Sequence, residues 1–399
     1  MLAVLFYYVN RQRAVYSSLI EKAEVNVNQI FVQLLVDPEK AESHIHLVKH
    51  EEWSQIFQMA QCTHLIALLH HGIKQTDIDL PVELRENLRQ LLRKTTMDTL
   101  RKRAELLNVL RKLNDLGIRP ILLKGAVLAN WVYPSYFHRS MGDIDLWIQR
   151  EKMVQAKEAL ETIGYIYVET EHRPHAMQVL GDGEMQMRGQ TSITGLVELH
   201  YGPFGGEWTR IVMAHIDRSA IEDRLLSHFI DAQPIYSLSL EDALIQLALH
   251  VGIHHQMAAN GLRSLIDIEF LSRMGIDWQI VSQRCQEWRV YSAVSFVIDL
   301  WNQLFATEQS IQAAAAMPFH RHRLMSFFVK PADIVDGHKL AESRLRMLYQ
   351  LFLVDRVPDA WKLIAHTIWP DQEWLNARYN AADARTRLQH LQRVVAGKL

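Results

Sequence analysis

The chain has 399 residues, of which 49% are apolar and 22% are charged, and its formal net charge at pH 7 is −2. This composition is typical of a soluble globular protein with two or three domains, and the near-zero charge excludes a general electrostatic attraction to nucleic acid. The two cysteines, Cys62 and Cys285, exclude a disulfide scaffold and favour a reducing compartment, so we predict a cytoplasmic protein.

The chain begins with "MLAVLFYYVNRQR", in which an apolar run precedes Arg11 and Arg13. A secretory signal has its basic residues first, and a membrane span needs roughly 20 apolar residues. We interpret this stretch as the start of a buried helix, with a membrane role as the weaker alternative. We therefore predict no membrane partner.

Residues 1–116 are predicted to form an N-terminal helical region. Its clearest helix covers 83–116, where leucines recur at helical spacing, Pro81 precedes the start and Gly117 follows the end. The opposite face of this helix is basic, and two interpretations stay open: a solvated face, or a contact with a polyphosphate or nucleic acid. The basic residues are Arg85, Arg89, Arg93, Lys94, Arg101, Lys102, Arg103, Arg111 and Lys112.

Residues 117–210 are predicted to form a small core with a mixed sheet. "IRPILLKG" and "DIDLWI" are typical of strands, "AVLANWVYPS" of a short helix and 151–165 of a longer one. Further strands are predicted in "YIYVE", "HAMQVL", "EMQMRG" and "GLVELHY". From about 211 to 399 the chain is predicted to be helical again, so the fold class is α+β, with the sheet embedded between two helical regions.

Three acidic residues on predicted strands carry the chemistry of this core. Asp143 and Asp145 alternate on one strand and therefore point to the same face, and Glu198 interrupts an apolar strand further on. Two neighbouring carboxylates repel each other unless a cation lies between them. We predict that the three acids hold Mg²⁺, for which Mn²⁺ can substitute.

Lys124 and Gly125 end the first predicted strand, where a helix begins. A glycine at such a turn lets the backbone approach phosphate oxygens, and the helix N-terminus and the lysine both supply positive charge. The two residues are therefore candidates for binding the phosphates of a nucleoside triphosphate.

The segment "GIRPILLKGAVLANWVYPSYFHRSMGDIDLWI" resembles the core of the nucleotidyltransferase superfamily, which has the DNA polymerase β-like fold, and in particular the bacterial family of uncharacterised nucleotidyltransferases. "LPVELRENLRQ", "LSLEDALIQLALHVGIHH", "GLRSLIDIEFL" and "IWPDQEWLNARY" are similar to other segments of that family, so the resemblance covers residues from about 50 to 380. It implies a nucleotidyltransferase fold and reaction class.

The resemblance also assigns roles residue by residue. Gly125 matches the glycine of the phosphate turn, Asp143 and Asp145 match the metal-binding pair, and Glu198 stands where a third acid is expected. Arg139 matches the arginine before the pair, and we expect it to contact a phosphate or to orient Asp143 by a bidentate bond. The chain departs from the superfamily at the turn, where the usual serine after the glycine is absent.

Histidines supply further candidates for nucleotide or phosphate binding. His250 and His254 are four residues apart on a predicted helix that starts near Ser239, so they share a face. They can line the cleft, be structural, or form a separate metal site. His200 shares a strand face with Glu198. Arg263 and Asp267 are also four apart, and either form an ion pair or help to line the cleft.

The predicted activity is transfer of a nucleoside monophosphate from a nucleoside triphosphate, with ATP expected, to an unidentified acceptor: a protein, an RNA or a small molecule. Two alternatives remain at this stage. One is a non-catalytic or regulatory nucleotide-binding relative that acts through a partner, as in toxin–antitoxin or defence pairs. The other is a metal-dependent phosphohydrolase that uses His250, His254 and Asp267. The oligomeric state is not predicted.

Overall fold

The computed structural model describes residues 26–170, 174–191, 194–258, 261–336 and 343–396. The helix start predicted in the first 13 residues lies outside these ranges. From residue 26 onward the N-terminal region is helical, as predicted, and its longest helix begins directly after Pro81. The helices before the first strand are α1 (Val27–Val36), α2 (Pro38–Ile45), α3 (His50–Cys62), α4 (Ile66–Ile73) and α5 (Val82–Asp115).

The middle of the chain alternates between short strands and short helices. The strands are β1 (Ile121–Leu122), β2 (Asp143–Trp147), β3 (Tyr165–Tyr167), β4 (Glu184–Gly189), β5 (Leu196–His200), β6 (Leu226–Ile230) and β7 (Gln233–Ser237). The helices between them are α6 (Lys124–Trp131), α7 (Met153–Glu161), α8 (His175–Met177), α9 (Glu207–Val212) and α10 (Arg218–Glu222).

The remainder of the described chain is helical. Helix α11 begins next to Ser239, whose hydroxyl oxygen accepts a hydrogen bond from the backbone N–H of Asp242, and this agrees with the predicted start. The helices are α11 (Leu240–Leu249), α12 (Gly261–Ser272), α13 (Trp278–Glu287), α14 (Tyr291–Phe305), α15 (Glu308–Ala316), α16 (His322–Met325), α17 (Pro331–Asp336), α18 (Ser343–Phe352), α19 (Val357–Ile368), α20 (Gln372–Tyr379) and α21 (Ala384–Ala396).

The seven strands form one mixed sheet in the order β3-β4-β5-β2-β1-β7-β6. The pairs β2–β5 and β1–β7 are parallel, and the other pairs are antiparallel. The protein is therefore of the α+β class, with a mixed sheet flanked by helical regions, as predicted.

The two faces of the sheet differ in polarity because side chains alternate along each strand. Ile144, Leu146, Val197 and Leu199 point to one face, where they pack in a single core with the C-terminal half of α5. The opposite face carries Asp145, Glu198 and His200 in the same strands. The sheet thus turns an apolar face toward α5 and a polar face toward the C-terminal helices.

Two expectations about secondary structure are wrong. "HAMQVL" does not form a strand: α8 begins after Pro174 and continues into a wide helical turn over Gln178–Asp182. The chain is also not helical from residue 211, because β6 and β7 form a hairpin that completes the sheet beside β1. The division at residues 116/117 and 210/211 stays a prediction.

Five of the nine cations on the basic face of α5 have an acidic partner within 4.0 Å, which favours the interpretation of a solvated face. The ion pairs are Arg85–Asp79, Arg89–Glu86, Arg101–Asp98, Lys102–Glu105 and Arg103–Asp231, with N–O distances of 2.6, 3.2, 3.5, 2.8 and 3.0 Å.

Among the residues that the structure describes, no helix combines the length and the apolar character needed to cross a membrane.

Candidate active site

A cavity of about 320 Å³ lies between the polar face of the sheet and the helices α11 and α12. Its wall contains every residue that the sequence indicates as a candidate for catalysis, metal binding or nucleotide binding. We call it the central cavity. These residues are Lys124, Gly125, Arg139, Asp143, Asp145, Glu198, His200, His250, His254 and Arg263.

Asp145 is the centre of the buried charge network in this cavity. Lys124 Nζ lies 2.7 Å from Asp145 Oδ1, and His200 Nε2 lies 2.9 Å from the same oxygen. The register of the sheet brings the acids together: Asp145 faces Glu198 across the parallel pair β2–β5. In the free protein, the positive group next to Asp145 is therefore the Lys124 ammonium.

Lys124 reaches Asp145 from an unusual backbone conformation. It is the first residue of α6 and has a φ of 48°, in the left-handed region that favours glycine. Such strain persists only where the surrounding structure maintains it, and it is concentrated at functional sites. Gly125, in contrast, has an ordinary helical conformation, so the turn needs no glycine for its φ angle.

Strand β4 contributes two polar residues that the sequence analysis did not select. Gln186 Nε2 donates a hydrogen bond of 2.8 Å to Glu198 Oε1, and Glu184 Oε2 lies 3.5 Å from His200 Nδ1. Both residues alternate with buried methionines in "EMQMRG". This alternation is the signal that would have found them, because it puts them on the face of the sheet that carries Glu198.

The network shifts the acid–base properties of its members in opposite directions. Burial raises the pKa of Asp145, but the charges of Lys124 and His200 outweigh it and hold the pKa well below its usual range. Burial lowers the pKa of Lys124, but the charges of Asp145 and Glu198 outweigh it and raise this pKa above its usual value. Burial and the charge of Glu184 raise the pKa of Glu198 to about 9.

The donor set fits a divalent cation. Asp145, Glu198 and His200 each offer one ligand atom, and these atoms all lie within 4.8 Å of one another. Within the described ranges, no other group of three or more histidine, cysteine or acidic side chains brings its ligand atoms this close together. Carboxylate oxygens suit both Mg²⁺ and Mn²⁺. Asp143 lines the same cavity at the N-terminal end of β2.

Of the two roles expected for Arg139, the bidentate bond to Asp143 is not formed, and the contact with a phosphate stays a prediction. Its guanidinium makes a bidentate bond to Asp267 on α12, with Nε 2.7 Å from Oδ1 and Nη2 2.8 Å from Oδ2. Its remaining nitrogen, Nη1, donates to the backbone oxygen of Ser140. The Tyr133 hydroxyl donates a further bond of 2.7 Å to Asp267 Oδ1. Arg139 therefore fixes the segment before β2 to the C-terminal helices.

The histidines lie where α11 widens into a helical turn over His250–His254. His250 Nε2 lies 3.0 Å from His255 Nε2, and the ring of His254 packs against the backbone of Gly206. Burial lowers the pKa of His254 to about 4, so its ring is neutral near pH 7. Of the three interpretations of His250 and His254, lining the cleft agrees with their position in the central cavity.

The chain is similar to one class of protein, the nucleotidyltransferases. The similar features are the mixed sheet, its acidic centre and the glycine turn beside it. Residues 49–306 match the family described as "Uncharacterised nucleotidyltransferase", and the chain belongs to this family. The matched range contains the whole sheet and every residue of the central cavity named above.

Similarity to solved structures is weak. An antigenic nucleotidyltransferase-like protein from Paracoccidioides brasiliensis is 14% identical, with a TM-score of 0.33 over 57% of this chain and 94% of its own. The antibiotic-resistance factor ANT(2'')-Ia is 14% identical, with a TM-score of 0.30 over 57% of this chain and 99% of its own. These scores are too low to bear on function. A comparison with curated proteins gave no match.

Proposed function

We propose that the protein transfers a nucleoside monophosphate from a nucleoside triphosphate, with ATP as the expected donor, to an acceptor hydroxyl. The observation that carries the proposal is the grouping of Asp145, Glu198 and His200 within 4.8 Å, in one cavity with Lys124 and Gly125. A cation site beside a glycine-containing helix start is what a bound triphosphate requires. Family membership supports the reaction class.

Asp145, Glu198 and His200 would hold Mg²⁺ or Mn²⁺, and Asp143 lies in the same cavity, two residues before Asp145 on β2. When bound, the cation would neutralise charge on the triphosphate oxygens. Glu198 Oε1 is engaged by Gln186, which fixes the carboxyl plane and leaves Oε2 for a ligand or for a proton. Glu184, also on β4, supports the position of His200 through its contact with the ring nitrogen Nδ1.

The positive groups of the cavity would bind the phosphates. The N-terminal residues of helix α6, Lys124 and Gly125, line the cavity, and Gly125 leaves space there. Lys124 would neutralise phosphate charge after exchanging its contact with Asp145. Arg263 lies in the same wall, where burial and the charge of Arg139 lower its pKa to about 10, so it stays cationic near pH 7.

The reaction balances without a further reagent. The acceptor hydroxyl oxygen attacks the α-phosphorus and forms a new P–O bond. The bond between the α-phosphorus and its bridging oxygen breaks, and pyrophosphate leaves with the electron pair. The hydroxyl proton passes to an ionised carboxylate of the cavity, for which Asp143 is the candidate, because the raised pKa of Glu198 keeps that carboxyl protonated near pH 7 in the free protein.

Label transfer from nucleotides radioactive at the α-phosphate tests the proposal. We expect Asp145→Asn and Glu198→Gln to reduce transfer to a cell extract by a factor of about a thousand or more, since both remove a carboxyl ligand from the cation site. Asp98→Asn is the matched control, because Asp98 is an exposed partner of Arg101 on α5. Transfer by folded Asp145→Asn protein at the wild-type rate would refute the proposal.

A further inference from the structure

A second, larger cavity of about 920 Å³ adjoins the central cavity. Both are lined by residues 203–206 and by Thr209, which form a shared wall. Strand β5 ends at this wall: His200 lies in the central cavity, and the next residues, Tyr201 and Gly202, lie in the second one. A molecule in the second cavity is therefore close to the residues that would hold the reacting phosphate.

Arginines dominate the charge of this second cavity, which we call the arginine groove. It is lined by Arg150, Arg210 and Arg218, whereas Glu373 is its single carboxylate among the described residues. Arg150 and Arg218 are exposed, and neither has a carboxylate oxygen within 4.0 Å in the described part of the chain. Two cations without a carboxylate partner among the described residues face the same space.

Arg150 and Arg218 converge on the segment that follows His200. The Arg150 guanidinium lies 5.8 Å from the centre of the Tyr201 ring, and Arg218 Nη2 lies 3.6 Å from the position that a Cβ of Gly202 would take. Arg210 is differently placed, because its Nη2 lies 2.8 Å from His366 Nε2. The positive charge of the groove is thus concentrated next to β5.

The shared wall contains an unsatisfied polar group. Thr209 is 6% exposed, and its Oγ1 is buried without a hydrogen-bond partner. A buried hydroxyl in this state costs free energy, and such groups in native proteins are commonly satisfied by a water molecule or a ligand. A hydroxylated molecule that extends from the groove toward the central cavity passes this side chain.

We propose that the arginine groove binds the acceptor, and that the acceptor is a small molecule with both a hydroxyl and an anionic group, either phosphate or carboxylate. This inference rests on the proposed nucleotidyl transfer. The anionic group lies on Arg150 and Arg218, since guanidinium groups bind both anions by paired hydrogen bonds. The hydroxyl reaches across the shared wall, attacks the α-phosphorus and releases pyrophosphate, as in the balanced step above.

A charge series on one scaffold tests the acceptor class. Glucose, glucosamine, glucuronate and phosphorylated glucose share a hydroxylated ring and differ in charge, and the corresponding glycerol, glycerate and phosphorylated glycerol form a second series. Label transfer from α-labelled nucleotide is measured for each compound. We expect the anionic members to have a kcat/KM at least about tenfold above their neutral and amino counterparts, and the two anionic arms identify which anion is preferred.

Variants of the groove separate this proposal from the proposed function. Arg150→Gln and Arg218→Gln should each raise the KM for the anionic acceptor about tenfold, with Arg218→Lys restoring part of the loss. Nucleotide affinity, measured by calorimetry without acceptor, should not change in these variants. Arg93→Gln is the control, because Arg93 is exposed on α5 and lines neither cavity.

The results of these experiments distinguish failure of the anionic-acceptor proposal from failure of the proposed nucleotidyl transfer. Preference for neutral or amino compounds, or a KM that is the same in Arg150→Gln, Arg218→Gln and wild type, overturns the anionic acceptor. Failure of both anionic series to accept label, while the nucleotide binds, also overturns it and favours a macromolecular acceptor. Absence of nucleotide binding in the wild-type protein instead refutes the proposed function.

Discussion

Gly125 is a position at which the free protein has room for a methyl group. A Cβ added there would lie 3.5 Å from Met141 Cγ and 3.6 Å from the terminal nitrogens of Arg139, which are ordinary contacts. We predict that Gly125→Ala keeps or raises the melting temperature, because alanine favours helix, but lowers nucleotide affinity about tenfold or more, because phosphate needs the same space. Thermal unfolding and calorimetry with Mg²⁺-nucleotide measure the two effects.

The matched control for this substitution is Gly142→Ala. Gly142 lines the same cavity, but a Cβ added there would have no atom within 4 Å. Its affinity for nucleotide should stay within a factor of about three of the wild-type value. Equal affinity of Gly125→Ala and wild type would show that phosphate does not approach this glycine.

Gly206 and His254 are predicted to be coupled. Gly206 has a φ of 93°, and a Cβ at this position would lie 1.8 Å from His254 Cε1. Gly206→Ala should therefore lower the free energy of unfolding by more than the roughly 1–3 kcal/mol expected from the backbone conformation alone. In the His254→Ala background the same substitution should cost only the backbone part. Urea denaturation of the four proteins gives the coupling, and additive effects would contradict this geometry.

Residue patterns predicted the composition of the central cavity better than the contacts within it. The alternation of Asp143 and Asp145 and the isolated charge of Glu198 are local signals, and the structure brings these residues to one cavity. The partner of Arg139 is not a local signal. Asp267 lies 128 positions away in sequence, and only the packing of α12 on the sheet brings it into contact.

The Arg139–Asp267 pair joins the segment before β2 to helix α12. Both side chains are buried, and removal of one partner leaves an uncompensated charge. We predict that Asp267→Asn lowers the free energy of unfolding by about 3–5 kcal/mol, as measured by urea denaturation. Asp98→Asn, which removes an exposed pair on α5, should change it by less than about 1 kcal/mol.

A double-mutant cycle separates the pair from its surroundings. The combination Arg139→Met with Asp267→Leu removes both charges, so it should destabilise the protein less than the sum of the single substitutions. Strict additivity would mean that the two groups do not interact in the folded protein.

The elements that the sequence analysis missed have weak local signals. The β6–β7 hairpin turns at Asp231, which has a φ of 52°, without the glycine or Asn-Gly pair that usually marks such a turn. Strand β6 is also largely exposed, so it lacks an apolar pattern. The segment "HAMQVL" is an apolar run, which favours a strand. In the structure it forms helical turns between Pro174 and Gly183.

Histidines with a lowered pKa predict loss of stability in mild acid. Burial is the main cause that lowers the pKa of nine histidines, and for His138 and His254 the pKa falls from 6.5 to about 4. The nine are His64, His70, His71, His138, His228, His250, His254, His255 and His390.

The direction in which stability changes with pH follows from the number of protons that the folded and unfolded chains bind. Below pH 6.5 the unfolded chain binds protons that the folded protein does not, so stability is full above this pH and falls toward pH 4. The raised pKa of Glu198 acts in the opposite direction between pH 4.5 and about 9, and the raised pKa of Asp143 does so above pH 3.8, but these are two groups against nine histidines. Urea midpoints between about pH 7.5 and about pH 4.5 should decrease steadily. A constant midpoint across this window would contradict the lowered pKa values of these histidines.

The contact between Lys124 and Asp145 has a thermodynamic consequence for ligand binding. In the free protein the ammonium already balances the charge of the carboxylate at 2.7 Å, so a divalent cation must compete for that oxygen. A triphosphate that arrives with the cation gives Lys124 a new anionic partner and removes the competition. Cation and nucleotide should therefore bind with positive cooperativity, each weakly alone and more tightly together, and the linkage must be equal in both directions.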